Sequence, residues 1–209
     1  MTVTELVILP TLPDGSGKVP SEKLLANFKS AKQVLESNSG YPFSFFQQIE
    51  DPTILYIIGA WSSTAAHESF LPSSQNLALL DLFRGQIDIE NILMYHIELD
   101  ANTTPLPLNA PAISVNRHFI KHDQRDLFRK RFEEVKPLLQ GYTKPRPVAG
   151  GWRIEKEAED KEEWVLLSGF DSLDHHMGFS KTDEFQKYRG IVEYVDGFEL
   201  KHMKRLEGL

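Results

Sequence analysis

The sequence predicts an α+β fold of two tandem strand-helix-strand-strand-helix-strand units with antiparallel sheets. Three observations carry this. A stretch starting at Trp61 has a counterpart starting at Phe170. Each has an aromatic residue, then a Ser, a His and a Phe at matching positions (Ser63, His67, Phe70; Ser172, His176, Phe179). From Phe43 to Phe70 the first half aligns without a gap with Trp152 to Phe179, at a constant offset of 109 residues. Each half also opens with a strand and then a helix whose apolar residues recur at the same spacing. These are Leu24, Phe28, Ala31 and Leu35 in the first half, and Phe128, Phe132, Val135 and Leu139 in the second.

Taken in order, Thr4 to Leu9 is β-rich and reads as the first strand. Residues 11–20 are rich in Pro, Gly, Asp and Ser and form a loop. Within it, Asp14-Gly15-Ser16-Gly17-Lys18 lacks the glycine spacing and final hydroxyl residue of a phosphate loop, so it reads as a turn. Ser21 caps a helix over 21–37, which Asn38-Ser39-Gly40 stops. Strands at 43–49 and 54–61 are joined by Glu50-Asp51-Pro52-Thr53 as a hairpin. Ser63 opens a short helix that ends at Pro72. A further helix spans 76–83, and a fourth strand spans 89–99.

Residues 102–111 hold Pro105, Pro107 and Pro111 and read as a semi-stiff linker. The expected division is a first unit at 1–101, the linker, and a second unit at 112–209. In that second unit the pattern restarts with a strand at 113–121 and a helix at 123–139. A hairpin of strands at 152–158 and 164–170 follows. Then come a Ser172-capped helix, a helix at 183–189 and a last strand at 197–205. The last strands align Ile92, Met94 and His96 with Phe198, Leu200 and His202. This element order is ferredoxin-like.

Composition narrows the function. A chain of 209 residues buries enough surface to form a core without covalent staples. It has no cysteine, which excludes disulfides, thiolate catalysis and cysteine-based metal sites. The net charge of −7 argues against a nucleic-acid groove or an anionic membrane surface as partner. Met1 to Glu5 lacks a basic, apolar leader, and no apolar run reaches the ~20 residues of a membrane span. A cytoplasmic protein is expected.

The aromatic-x-Ser-x-x-x-His stretch after a strand, present in both halves, resembles the dimeric α/β-barrel superfamily. The nearest likeness is to its antibiotic-biosynthesis-monooxygenase-like branch and that branch's fungal and stress-response relatives. The resemblance implies that the two units form an intramolecular pseudo-dimeric α/β barrel, either as a monomer or paired further as a homodimer. It also implies a small-molecule enzyme of secondary metabolism that needs no cofactor and acts on an aromatic or polyketide-like compound. The reaction classes are monooxygenation, decarboxylation and cyclisation. The alternative is a non-catalytic ligand-binding or stress-response barrel for a small apolar or aromatic ligand.

His67 and His176 are the candidate catalytic residues. A neutral imidazole at the start of a helix, where the dipole disfavours imidazolium, acts as a base or hydrogen-bond partner near pH 7. The competing role is structural, tying the short helix to a neighbouring strand. His96 and His202 sit at matching places on the last strands. A meeting of helix and strand histidines makes either a proton relay or a satisfied core contact. Trp61, Tyr56, Phe170 and Trp152 are the remaining substrate-binding candidates, as walls of a flat cavity or as core. Trp61 resembles the tryptophan that ends the corresponding strand in many family members. Phe170 replaces it in the second half, so the first half is the better candidate for an active cavity. One phase of the second half's last strand is polar, with Glu199 and Lys201; Arg117 and His118 on the fifth strand and Arg153 and Glu155 on the sixth add polar groups, and such a phase fits either solvent or a wet lumen. No metal site is expected. His118 and His122 straddle a strand end and a helix start, and His175 and His176 are adjacent and point apart. Neither a Gly-x-Ser-x-Gly elbow nor a dinucleotide fingerprint is present.

Overall fold

The computed structural model describes residues 1–13, 19–100, 102–158 and 161–209. The turn at Asp14 to Lys18 lies outside the described residues. So does the Glu159-Asp160 pair that the repeat matches to Glu50-Asp51. The fold is α+β, and the chain divides into two compact units. One is Met1–Asn102 with Arg205–Leu209; the other is Thr103–Lys204.

The first unit runs β1 (Val3–Pro10), α1 (Glu22–Ser39), β2 (Ser44–Gln48), β3 (Ile54–Trp61), α2 (Thr64–Phe70), α3 (Ser74–Phe83) and β4 (Leu93–Ile97). Its strands lie in the order β4-β1-β3-β2, every neighbour antiparallel. The α1 helix begins where predicted, because the Ser21 hydroxyl accepts the Leu24 N–H at 3.3 Å. It ends at Gly40, whose φ of 78° suits a residue without Cβ. Leu24, Phe28 and Ala31 face the sheet and are buried. They join Val7, Leu55, Ile57, Trp61 and Phe70 in one core, where each full side-chain burial contributes about 1.5–3 kcal/mol. The fourth strand is shorter than predicted. Ile89–Asn91 forms a 3-10 turn, so β4 starts at Leu93.

The second unit repeats the plan with β5 (Ala112–Ile120), α4 (Arg125–Thr143), β6 (Val148–Trp152), β7 (Glu162–Phe170), α5 (Leu173–Phe179), α6 (Asp183–Tyr188) and β8 (Val195–Arg205). Its strands lie in the order β8-β5-β7-β6, again antiparallel. The apolar positions Phe128, Phe132, Val135 and Leu139 of α4 are all buried.

A second strand departs further from expectation. β6 covers Val148–Trp152, not 152–158. Gln47 stands opposite Leu55 in the first unit, and Trp152 stands opposite Trp164 in the second. Trp152 therefore matches Gln47 and not Phe43. The gapless repeat fails here because the connection between the paired strands is longer in the second unit. Two glycines, Gly150 and Gly151, hid the strand by weakening its β signal.

Candidate functional site

In both units a serine cap fixes the short helix that follows the third strand. The Ser63 hydroxyl accepts the Ala66 N–H at 3.1 Å, and the Ser172 hydroxyl accepts the His175 N–H at 3.0 Å. Backbone N–H groups of His67 and His176 donate to the Ser63 and Ser172 carbonyls. The Ser-x-x-x-His spacing thus places each imidazole one turn into its helix, where it meets the histidine of the last strand. His67 Nδ1 lies 2.9 Å from His96 Nε2, and His176 Nδ1 lies 2.6 Å from His202 Nε2. In each pair one nitrogen donates and the other accepts, so the two rings hold complementary tautomers. Both helices are seven residues long, and each of these histidines also falls in the last turn. The dipole argument from the helix start therefore does not decide their charge.

In the first unit this arrangement is closed. The Trp61 ring stacks on His67 with centroids 4.4 Å apart and an interplanar angle of 8°. Its indole N–H donates to Glu5 Oε2 at 2.6 Å, and Glu5 Oε1 stands 3.8 Å from His67 Nε2. Glu5, Trp61, His67 and His96 are all buried. Tyr56 does not join them. It is five residues from Trp61 on β3, an odd spacing that puts it on the opposite face. There its hydroxyl donates to Gln48 Oε1 at 2.9 Å. Trp61 and Tyr56 were expected to shape one pocket, and strand alternation separates them.

The second unit carries different residues at the same register. Glu5 pairs with His96 and Gly59; the residue so placed in the second unit is Ser114, opposite His202 and Ser168. Trp61 becomes Phe170, whose ring lies 4.3 Å from that of His176. With indole and carboxylate replaced by phenyl and hydroxyl, a cavity of about 230 Å³ lies between sheet and helices. Ser114, Asn116, His118, Ser168 and Phe170 form its sheet wall. Leu139 of α4, His176 and Phe179 of α5, and Phe185 and Tyr188 of α6 face them. The exposed side chains of Met177, Val192 and Phe198 also line it and form an apolar rim.

Three buried polar atoms in that wall have no hydrogen-bond partner: Ser114 Oγ, Ser168 Oγ and His118 Nδ1. Each such atom costs about 1–3 kcal/mol when left unpaired. Burial pushes the His118 imidazole down to about 4, partly opposed by a hydrogen bond to the Trp164 backbone. Burial likewise raises the Tyr188 phenol above its ordinary range.

The other candidates lie elsewhere. His202 is buried behind His176. Trp152 packs in an aromatic core, 4.9 Å from Trp164 and 5.9 Å from Phe128, with the Arg125 guanidinium 4.3 Å over its ring. The polar phase of the sheet resolves into a buried ionic cluster on the face away from the helices. Arg117 donates to both oxygens of Glu163 and to Glu199, and Arg153 donates to Glu163 Oε2 as well. His122 is exposed beside Asp123, apart from buried His118. Among the described residues no group of three or more His, Asp or Glu side chains is placed to hold a metal ion. No helix among them is long and apolar enough to cross a membrane.

No family model and no curated protein matches the sequence. Solved structures do match the fold. An anthrone oxidase-like protein superposes with a TM-score of 0.71 at 12% identity, covering 99% of this chain and 92% of its own. A candidate monooxygenase from Lactobacillus acidophilus NCFM gives 0.67 at 11% identity, covering 98% and 93%. Another, from Fusobacterium nucleatum subsp. nucleatum, gives 0.63 at 10% identity, covering 99% and 93%. The chain shares its α+β fold with these structures. The match runs nearly end to end, so both units take part in it.

Sequence reasoning singled out the paired histidines of the two units but passed over Ser114, Ser168 and His118 as a group. A signal was present. Ser114, Asn116 and His118 alternate along β5, so three polar side chains share one face of a central strand.

Proposed function

We propose that this chain is a small-molecule enzyme whose working site is the cavity of the second unit. The substrate is an apolar, aromatic or polyketide-like compound. The reaction is a cofactor-independent monooxygenation, a decarboxylation or a cyclisation, in which a proton moves at an activated O–H or C–H. His176 is the acid/base group. His202 is a positioning residue that bonds His176 Nδ1 and fixes its tautomer. The observation that carries this reading is the difference between the pairs: His67 lies in a closed cluster, whereas His176 lines a cavity. Structural neighbours described as monooxygenases and as anthrone oxidase-like lend support at the level of fold.

The test is turnover of a panel of polycyclic phenols, followed by oxygen uptake and product mass. His176→Ala lowers kcat by roughly 10²–10⁴-fold while the compounds still bind. Undiminished turnover in that variant removes the mechanism. Saturable binding by the wild type with no product from any compound favours the ligand-binding barrel instead.

A further inference from the structure

The rim of the second unit's cavity is apolar, and one of its residues can lose that character by oxidation. Three exposed side chains form it: Met177 of α5, Val192 in the turn at Arg189–Tyr194, and Phe198 of β8. Phe198 stands opposite His118 in the β5–β8 register, so the rim adjoins the sheet wall of the cavity. Met177 directly follows His176 in α5. The Ser180 hydroxyl donates to the Met177 carbonyl at 2.8 Å, which holds the backbone in place while the side chain stands in solvent.

The chain's four methionines differ in access. Met203 is fully buried, Met94 packs against the first unit's core, and Met1 is exposed at the first position of the chain. Met177 is 54% exposed and is the methionine set at the cavity. There is no cysteine, so no thiol of this chain competes for an oxidant. A hydroperoxide reacts with an accessible thioether by oxygen transfer. The sulfur lone pair attacks one peroxide oxygen, an S–O bond forms and the O–O bond breaks. Sulfur gives up two electrons, and the departing oxygen takes the proton of the transferred hydroxyl and leaves as water or an alcohol. The product sulfoxide is polar where the thioether was apolar and adaptable. Its oxygen must stay hydrated, so the side chain no longer covers an apolar molecule at the rim.

We propose that Met177 is a reversible oxidation site whose sulfoxide weakens the entry of apolar ligands into the second unit's cavity. This rests on the cavity being the ligand site and adds a regulation by peroxide.

The experiment treats the folded protein with hydrogen peroxide and follows two readouts, peptide mass mapping and fluorescence titration with naphthalene. Met177 gains one oxygen well before Met94 and Met203, and naphthalene binding weakens by roughly three- to tenfold. Methionine sulfoxide reductases restore both readouts. Met177→Leu keeps the apolar shape, binds naphthalene normally and does not respond to peroxide. Met177→Gln puts a polar group at the rim and weakens binding without any oxidant. The wild-type measurements need no variant at all. Oxidation of Met177 no faster than that of Met94 and Met203 overturns the proposal, and so does full oxidation at Met177 with unchanged affinity. An equal loss of affinity in peroxide-treated Met177→Leu also overturns it. In those three cases naphthalene still binds the untreated protein and the cavity reading stands. If untreated protein binds no naphthalene, both fall.

Discussion

Glu5 and Ser114 occupy the same register position, and their surroundings differ: Glu5 accepts the Trp61 indole N–H, whereas Ser114 lines the cavity of the second unit. A buried carboxylate needs a donor, and Trp61 supplies one through its indole N–H. Ser114 carries no charge to neutralise, and Phe170 has no N–H to offer it. His118 adds a consequence for pH. Its imidazole is held at about 4, against an ordinary value near 6.5. As pH falls below about 6.5 the unfolded chain takes up a proton that the folded chain refuses until about 4. Stability is therefore full above that window and declines through it, by on the order of 3 kcal/mol. Urea unfolding at pH values on the two sides of this window checks the claim: wild type loses stability on acidification, and His118→Phe loses less. Equal acid sensitivity in the two proteins contradicts it.

Elements were legible wherever apolar spacing and caps agreed. The α1 and α4 faces, the Ser63 and Ser172 caps and the hairpin strand β3 were all readable, because burial of one face enforces a periodicity. The histidine pairs were readable for the same reason, since a capped turn fixes where the fourth residue points. β6 was not readable. Its position depends on a close approach that no local propensity encodes. A Cβ on Gly150 would stand 2.7 Å from Trp164 Nε1, so the indole occupies the space a side chain would need. Gly150→Ala is expected to destabilise the protein by about 1–3 kcal/mol, and Trp164→Phe to relieve part of that cost in the double variant. Thermal unfolding of the four proteins in the cycle measures it, and a neutral Gly150→Ala would show that the indole is not packed there. The pairing of Trp61 with Tyr56 failed on a simpler ground: five residues along a strand is an odd step.

Across the whole molecule, two units share one blueprint and have diverged in what fills the space beneath the short helix. The duplication itself was legible. The location of the cavity was not, because volume depends on which side chains stand opposite one another, and strand register settles that. The first unit became the stronger candidate through Trp61, and that tryptophan is buried, stacked on His67 and bonded to Glu5. The central claim is that the open cavity of the second unit is the small-molecule site and that the first unit's residues plug its equivalent. Grafting the plug tests this directly. Ser114→Glu/Phe170→Trp places the carboxylate and indole of the first unit into the second. Calorimetric titration with 2,6-dihydroxynaphthalene is the measurement. The account predicts one equivalent bound per wild-type chain and none in the folded double variant. Two equivalents per wild-type chain, or undiminished binding after the graft, would contradict it.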